Sequence, residues 1–118
     1  MDLVIFKRQL KKAYSESYCS YSFDDCLQIF EYYFNVYEYM TGHSHPPIKT
    51  VKLIELLSDM SCDGLIEPFN YKEMIDNYFY THYPNCDRNI CHFFSGKIRE
   101  LKFYETSYFK YGDDEEFF

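Results

Sequence analysis

At 118 residues the chain is long enough for one domain whose core needs no disulfide or metal staple. A hydrophobic share of 47% excludes global disorder, no apolar run approaches a membrane span, and five irregularly spaced cysteines fit reduced thiols better than a disulfide framework. The net charge of −7 disfavours ordinary DNA or RNA binding by the body of the chain.

The apolar start, Leu3-Val4-Ile5-Phe6, precedes the basic cluster Lys7, Arg8, Lys11 and Lys12, the reverse of a secretory signal. A cytoplasmic protein is therefore expected. Leu3, Phe6, Leu10 and Tyr14 recur at helical spacing and predict a first helix over 3–14. Ser22 and Asp25 have the spacing of a capping box. Phe23, Cys26, Leu27, Phe30, Phe34, Tyr37 and Met40 then mark one apolar stripe, and Gly42 is placed to end the helix. Its other face carries Asp24, Asp25, Glu31 and Glu38.

His45-Pro46-Pro47 breaks the pattern, and Pro47 suits the first turn of a third helix through Ile48, Val51, Ile54, Leu57 and Met60. Cys62-Asp63-Gly64 closes it. Asn70 and Glu73 predict a capping box for a fourth helix, with Phe69 and Met74 as its hydrophobic staple and Pro84 just past its end. Asp87 is the expected cap of a fifth helix through Ile90, Cys91, Phe93 and Phe94, which Gly96 ends or interrupts. Residues 98–104 accommodate either a helix or a short strand, and a small hairpin at 62–70 or 98–104 stays open. The expected fold is mostly α: a compact bundle of about five short helices over residues 1–110, followed by an acidic tail at 111–118.

The residues that carry chemistry are sparse. His43, His45, His82, Cys86, Cys91 and His92 lack the paired spacings of a zinc site, so no metal and no cofactor is expected. A Cys–His nucleophile needs the two side chains in hydrogen-bond reach, and the sequence selects no such pair. With few glycines there is no phosphate-cradling loop. The expectation is a protein without catalytic residues.

Two features suit binding. The chain has 14 tyrosines and 12 phenylalanines but no tryptophan. Fourteen hydroxyls need water or a partner, so many rings belong at the edge of the core or on the surface, where tyrosine favours interfaces. From Ala13 to Gly96 there are 4 basic and 12 acidic residues. Ordered carboxylates beside aromatic anchors suit a basic partner. The candidate partner-binding residues are Asp24, Asp25, Glu31 and Glu38 on the second helix, with Asp59, Asp63 and Glu67 near the turn at 59–67. The alternative is DNA binding through the basic ends, with Lys97, Arg99 and Lys102 joining the N-terminal cluster. A helix with both an apolar and a tyrosine-rich face also suits packing against a second copy.

The stretch YPNCDRNICHFFSGKIRELKFYET (residues 83–106), with YEYMTGHSHPPIK (37–49) and YKEMIDNYF (71–79), resembles segments of small proteins of Firmicutes encoded by phages and other mobile elements. The resemblance covers over a third of the chain and carries no catalytic residues across. It implies a mobile-element accessory protein acting in a bacterial host. Small acidic proteins of that origin resemble anti-defence inhibitors, anti-CRISPR proteins among them. The leading expectation is thus an inhibitor that occupies the nucleic-acid groove of a basic host protein such as a CRISPR effector nuclease. The alternative is a phage or plasmid replication or transcription accessory.

Overall fold

A computed structural model describes residues 1–111. They form seven α-helices and one 3-10 turn, with no strand among the described residues. The helices are α1 (Leu3–Ser15), α2 (Phe23–Thr41), α3 (Thr50–Met60), α4 (Tyr71–Tyr80), α5 (Ile90–Phe93), α6 (Gly96–Tyr104) and α7 (Ser107–Tyr111), and the 3-10 turn Pro68–Asn70 leads into α4. The mostly helical bundle expected from the periodicity is what forms.

Helix α2 follows its sequence signals closely. The Ser22 hydroxyl accepts from the Asp25 N–H at 3.1 Å, satisfying one of the orphan donors of the first turn. At the other end Gly42 takes φ 77°, and its N–H donates to the Glu38 carbonyl. A β-carbon would strain that left-handed cap. Between the caps, Cys26, Ile29, Phe30, Tyr33, Phe34 and Tyr37 are buried.

This stripe is the spine of the core. Helix α1 lays Phe6, Leu10 and Ala13 against it and against α3, and α4 covers the opposite flank. Rings interlock throughout: Phe6 meets Phe34 edge-on at 4.9 Å between centroids, and Tyr33 lies 5.1 Å from Phe79 and 5.5 Å from Phe93. Each fully buried ring or branched aliphatic contributes about 1.5–3 kcal/mol of transfer free energy. Buried and half-buried tyrosine hydroxyls find non-local partners. Tyr33 donates to the Arg88 carbonyl at 2.7 Å, Tyr71 to the Met60 carbonyl at 2.6 Å, and Tyr21 to the Ile66 carbonyl at 2.5 Å. Six rings remain exposed instead: Tyr18, Tyr39, Tyr80, Tyr104, Tyr108 and Tyr111.

Several local expectations change. Helix α3 begins at Thr50, capped by Lys49, because Pro46 and Pro47 belong to an extended approach that seats His45 in the core. Its buried face is Leu53, Leu56, Leu57 and Met60, while Val51 is 70% exposed. Asn70 does not cap α4. Its side-chain oxygen turns back to accept from the Glu67 N–H at 2.7 Å, bracing the 3-10 turn. Glu73 instead accepts from the Ser107 N–H and hydroxyl at the start of α7. The expected staple does not form, since Phe69 is exposed and meets Tyr108 while Met74 is buried. Asn89, rather than Asp87, caps α5. Residues 98–104 are helical, 62–70 is a turn followed by the 3-10 segment, and Tyr111 closes α7. The rest of the expected tail, 112–118, lies outside the described residues.

Candidate functional site

Helices α2 and α4 pack side by side but leave their seam open to solvent. One depression of about 360 Å³ is lined by Asp25, Gln28, Ile29, Tyr32, Phe69 and Lys72, among others. A second, of about 270 Å³, continues along the same helices between Val36, Tyr39, Met40, Asp76, Phe79 and Tyr80. The Tyr32 hydroxyl donates to the Asp76 carboxylate across the seam, separating the two hollows. Burial first, and this carboxylate second, push the Tyr32 phenol up to about 12. The rim is aromatic. Tyr39 is 87% and Tyr80 83% exposed, and Met40 and Phe69 also face water.

Beside this groove runs the acidic side of α2. Asp24, Glu31 and Glu38 are seven residues apart, two turns each, so their β-carbons fall in one row at intervals of about 10 Å. Asp24 and Glu38 are exposed, Glu31 is half-buried, and Asp25 dips into the groove.

The remaining acids divide. Glu67 is exposed and precedes Pro68 and Phe69 on the groove wall. Asp63 is half-buried and accepts from the Leu65 N–H, a structural use within its turn. Asp59 is exposed at the end of α3 and lines neither hollow. The two ion pairs among the described residues are Lys52–Glu55 and Lys102–Glu105, so none of these seven acids is neutralised by a cation at contact distance.

The basic residues behave in the opposite way. Lys97 is exposed, but Arg99 is 7% and Lys102 1% exposed. The Arg99 guanidinium donates to the Asp59 carbonyl and contacts the Cys62 thiol. Lys102 donates to the Thr81 hydroxyl at 2.7 Å and to Glu105. These two cations are therefore not part of a DNA-facing patch. Both sit at helix C-terminal ends, Arg99 at that of α3 and Lys102 beside Thr81 after α4, where the helix dipole favours positive charge. Arg88 does the same for α4, donating to the Tyr78 and Thr81 carbonyls at 2.8 and 2.6 Å. It adopts φ 62°, a conformation that costs about 1 kcal/mol or more and that these bonds offset. The cations left at the surface in one group are Lys7, Arg8, Lys11 and Lys12 of α1.

Tertiary structure also assembles a Cys–His pair that spacing did not reveal. Cys86 lies 3.2 Å from His92 Nδ1, which also meets the Tyr78 hydroxyl at 2.7 Å. The Arg88 N–H donates to the Cys86 sulfur. Neither Cys86 nor His92 lines either hollow of the seam. Among the described residues, no group of three or more His, Cys, Asp or Glu side chains is arranged to hold a metal ion. No described helix is long and apolar enough to cross a membrane.

The sequence pattern located the acids but missed Tyr39, Met40, Phe69 and Tyr80. The sequence pattern puts Met40 in the core stripe and Phe69 in a staple, and nothing local distinguishes Tyr39 and Tyr80 from the buried tyrosines. No protein-family model, curated protein or solved structure matches the chain.

Proposed function

We propose that the chain is a non-enzymatic binding protein whose α2–α4 face docks on a basic, nucleic-acid-handling protein and competes for its nucleic-acid groove. The observation that carries this reading is the row Asp24, Glu31, Glu38: carboxylates at even spacing, in no ion pair among the described residues, beside a groove rimmed by exposed Tyr39 and Tyr80. The row supplies a complementary potential that steers encounter and weakens with salt. The rim tyrosines supply the desolvated anchors that charge alone does not. With the resemblance to mobile-element proteins, this arrangement supports an anti-defence inhibitor acting in the bacterial cytoplasm, with a CRISPR effector nuclease as the target class.

The test is capture of the target from nuclease-treated host lysate, elution by a salt gradient, and competition between this chain and nucleic acid for the purified target. Asp24→Lys/Glu31→Lys/Glu38→Lys is expected to abolish binding, and Tyr39→Ala/Tyr80→Ala to weaken it with little change in salt dependence. Unchanged affinity and salt slope in the triple variant would sink the proposal.

A second reading keeps the replication or transcription accessory, but through α1. Lys7, Arg8, Lys11 and Lys12 are all exposed on one helix, whereas Arg99 and Lys102 are internal. Loss of a low-salt duplex shift on neutralising the α1 cations would favour it.

A further inference from the structure

The loop between α1 and α2 brings two thiols together. Cys19, half-buried in that loop, has its sulfur 3.5 Å from that of Cys26, which is fully buried in the first turns of α2. Of the five free cysteines, these are the two whose sulfurs contact one another. Cys62 faces Arg99, and Cys86 faces His92 and Tyr78.

The position of Cys19 is held from both sides. The Tyr14 hydroxyl donates to the Tyr21 carbonyl, the Ser20 N–H donates to Ser61 Oγ, and the Tyr18 N–H donates to Ser58 Oγ. The loop is thus tied to α1 and to α3 while its cysteine faces the start of α2. A disulfide needs about 2.05 Å between sulfurs. The contact must close by about 1.5 Å, within reach of side-chain rotation and a small loop shift.

From this juxtaposition we propose that Cys19 and Cys26 form a thiol-modification site, at which a small-molecule disulfide of the glutathione class converts the dithiol to an internal disulfide. Cys19 is the entry thiol because it is the accessible one. A hydrogen bond from the Cys26 thiol, helped by Ser61, holds the Cys19 thiol below its ordinary range, which favours the attacking thiolate.

The Cys19 thiolate attacks one sulfur of the small disulfide, a new S–S bond forms, the old one breaks, and one small thiolate leaves. Cys26 then gives up its proton to that thiolate and attacks the Cys19 sulfur, displacing the second small thiolate. The protein loses two electrons and two protons, and one small disulfide becomes two small thiols. In the reduced pair the hydrogen bond with Cys19 first, and burial second, raise the Cys26 thiol. Cys26, fully buried behind Cys19, reacts only as the resolving partner.

The reduced chain is incubated with glutathione disulfide, quenched in acid, alkylated after denaturation and analysed by peptide mass spectrometry. The expected product has lost about 2 Da and contains a Cys19–Cys26 linked peptide, with Cys62, Cys86 and Cys91 alkylated. Cys26→Ser is expected to trap a glutathione adduct on Cys19, and Cys19→Ser to give neither the link nor an adduct on Cys26. Should Cys26→Ser not fold, the wild-type chain decides by timed labelling. Cys19 is then expected to react with iodoacetamide at least ~10-fold faster than Cys26 at neutral pH. Adducts on Cys62 or Cys86 without a Cys19–Cys26 link, or equal labelling rates at Cys19 and Cys26, would overturn the proposal.

Discussion

Helices α2 and α6 both alternate charged residues with aromatic and aliphatic ones, yet their charges have opposite fates. On α2 the buried stripe consists of Cys26, Ile29, Phe30, Tyr33, Phe34 and Tyr37, so the carboxylates are left toward water, and none forms an ion pair among the described residues. On α6, of nine residues, Arg99, Lys102 and Phe103 are the buried positions and Leu101 is exposed. The difference follows from what each helix meets. Helix α2 meets the apolar faces of α1 and α4, whereas the side chains of α6 reach polar acceptors at the ends of α3 and α4, the Asp59 carbonyl and the Thr81 hydroxyl, which donors satisfy. Cations that would have screened the surface thus work inside the molecule. The accessible face is more acidic than a net charge of −7 alone suggests.

The largest test of this contrast is Arg99→Ala. It removes the donor to the Asp59 carbonyl together with the packing of a nearly fully buried side chain, so a loss of about 2–4 kcal/mol in urea unfolding is expected. A variant as stable as wild type would erase the distinction between the two helices.

Lys102→Ala should cost somewhat less, about 1–3 kcal/mol, because Glu105 is partly exposed and regains water when its partner goes. Chemical denaturation measures it, and a loss confined to DNA affinity would return Lys102 to the surface reading.

His45 extends the comparison to a titratable interior group. It is 3% exposed, its Nε2 accepts from the Ile90 N–H at 3.0 Å, and its Nδ1 donates to the Pro46 carbonyl at 2.7 Å. Burial lowers its pKa below the unfolded value of 6.5, so the unfolded chain takes up the proton first. Stability is then full above pH about 6.5 and falls as pH drops toward the folded pKa, by at most ~1.4 kcal/mol per pH unit. Unfolding curves across pH 5–8 check this, and His45→Gln should flatten the slope attributable to this group.

The smallest expected effect is on the acidic face. Glu31→Lys and Glu38→Lys should each change stability by no more than about 0.5 kcal/mol, because neither is paired or fully buried. Thermal unfolding provides the readout, and a larger destabilisation would make these acids structural.

The sequence by itself determined the helical class, the limits of α1 and α2, both caps of α2 and the row of acids beside its apolar stripe. These are local consequences of helical period, an N-cap hydroxyl and a glycine free to take positive φ. Only the tertiary structure decided the rest. Asn70 and Glu73 have capping-box spacing, but the better partners for both lie elsewhere, at the Glu67 N–H and at Ser107. The burial of Arg99 and Lys102, the exposure of Tyr39 and Tyr80, and the meetings of Cys19 with Cys26 and Cys86 with His92 follow from which helix ends and faces become neighbours. Spacing along one helix carries no information about a carbonyl or a thiol supplied by another segment.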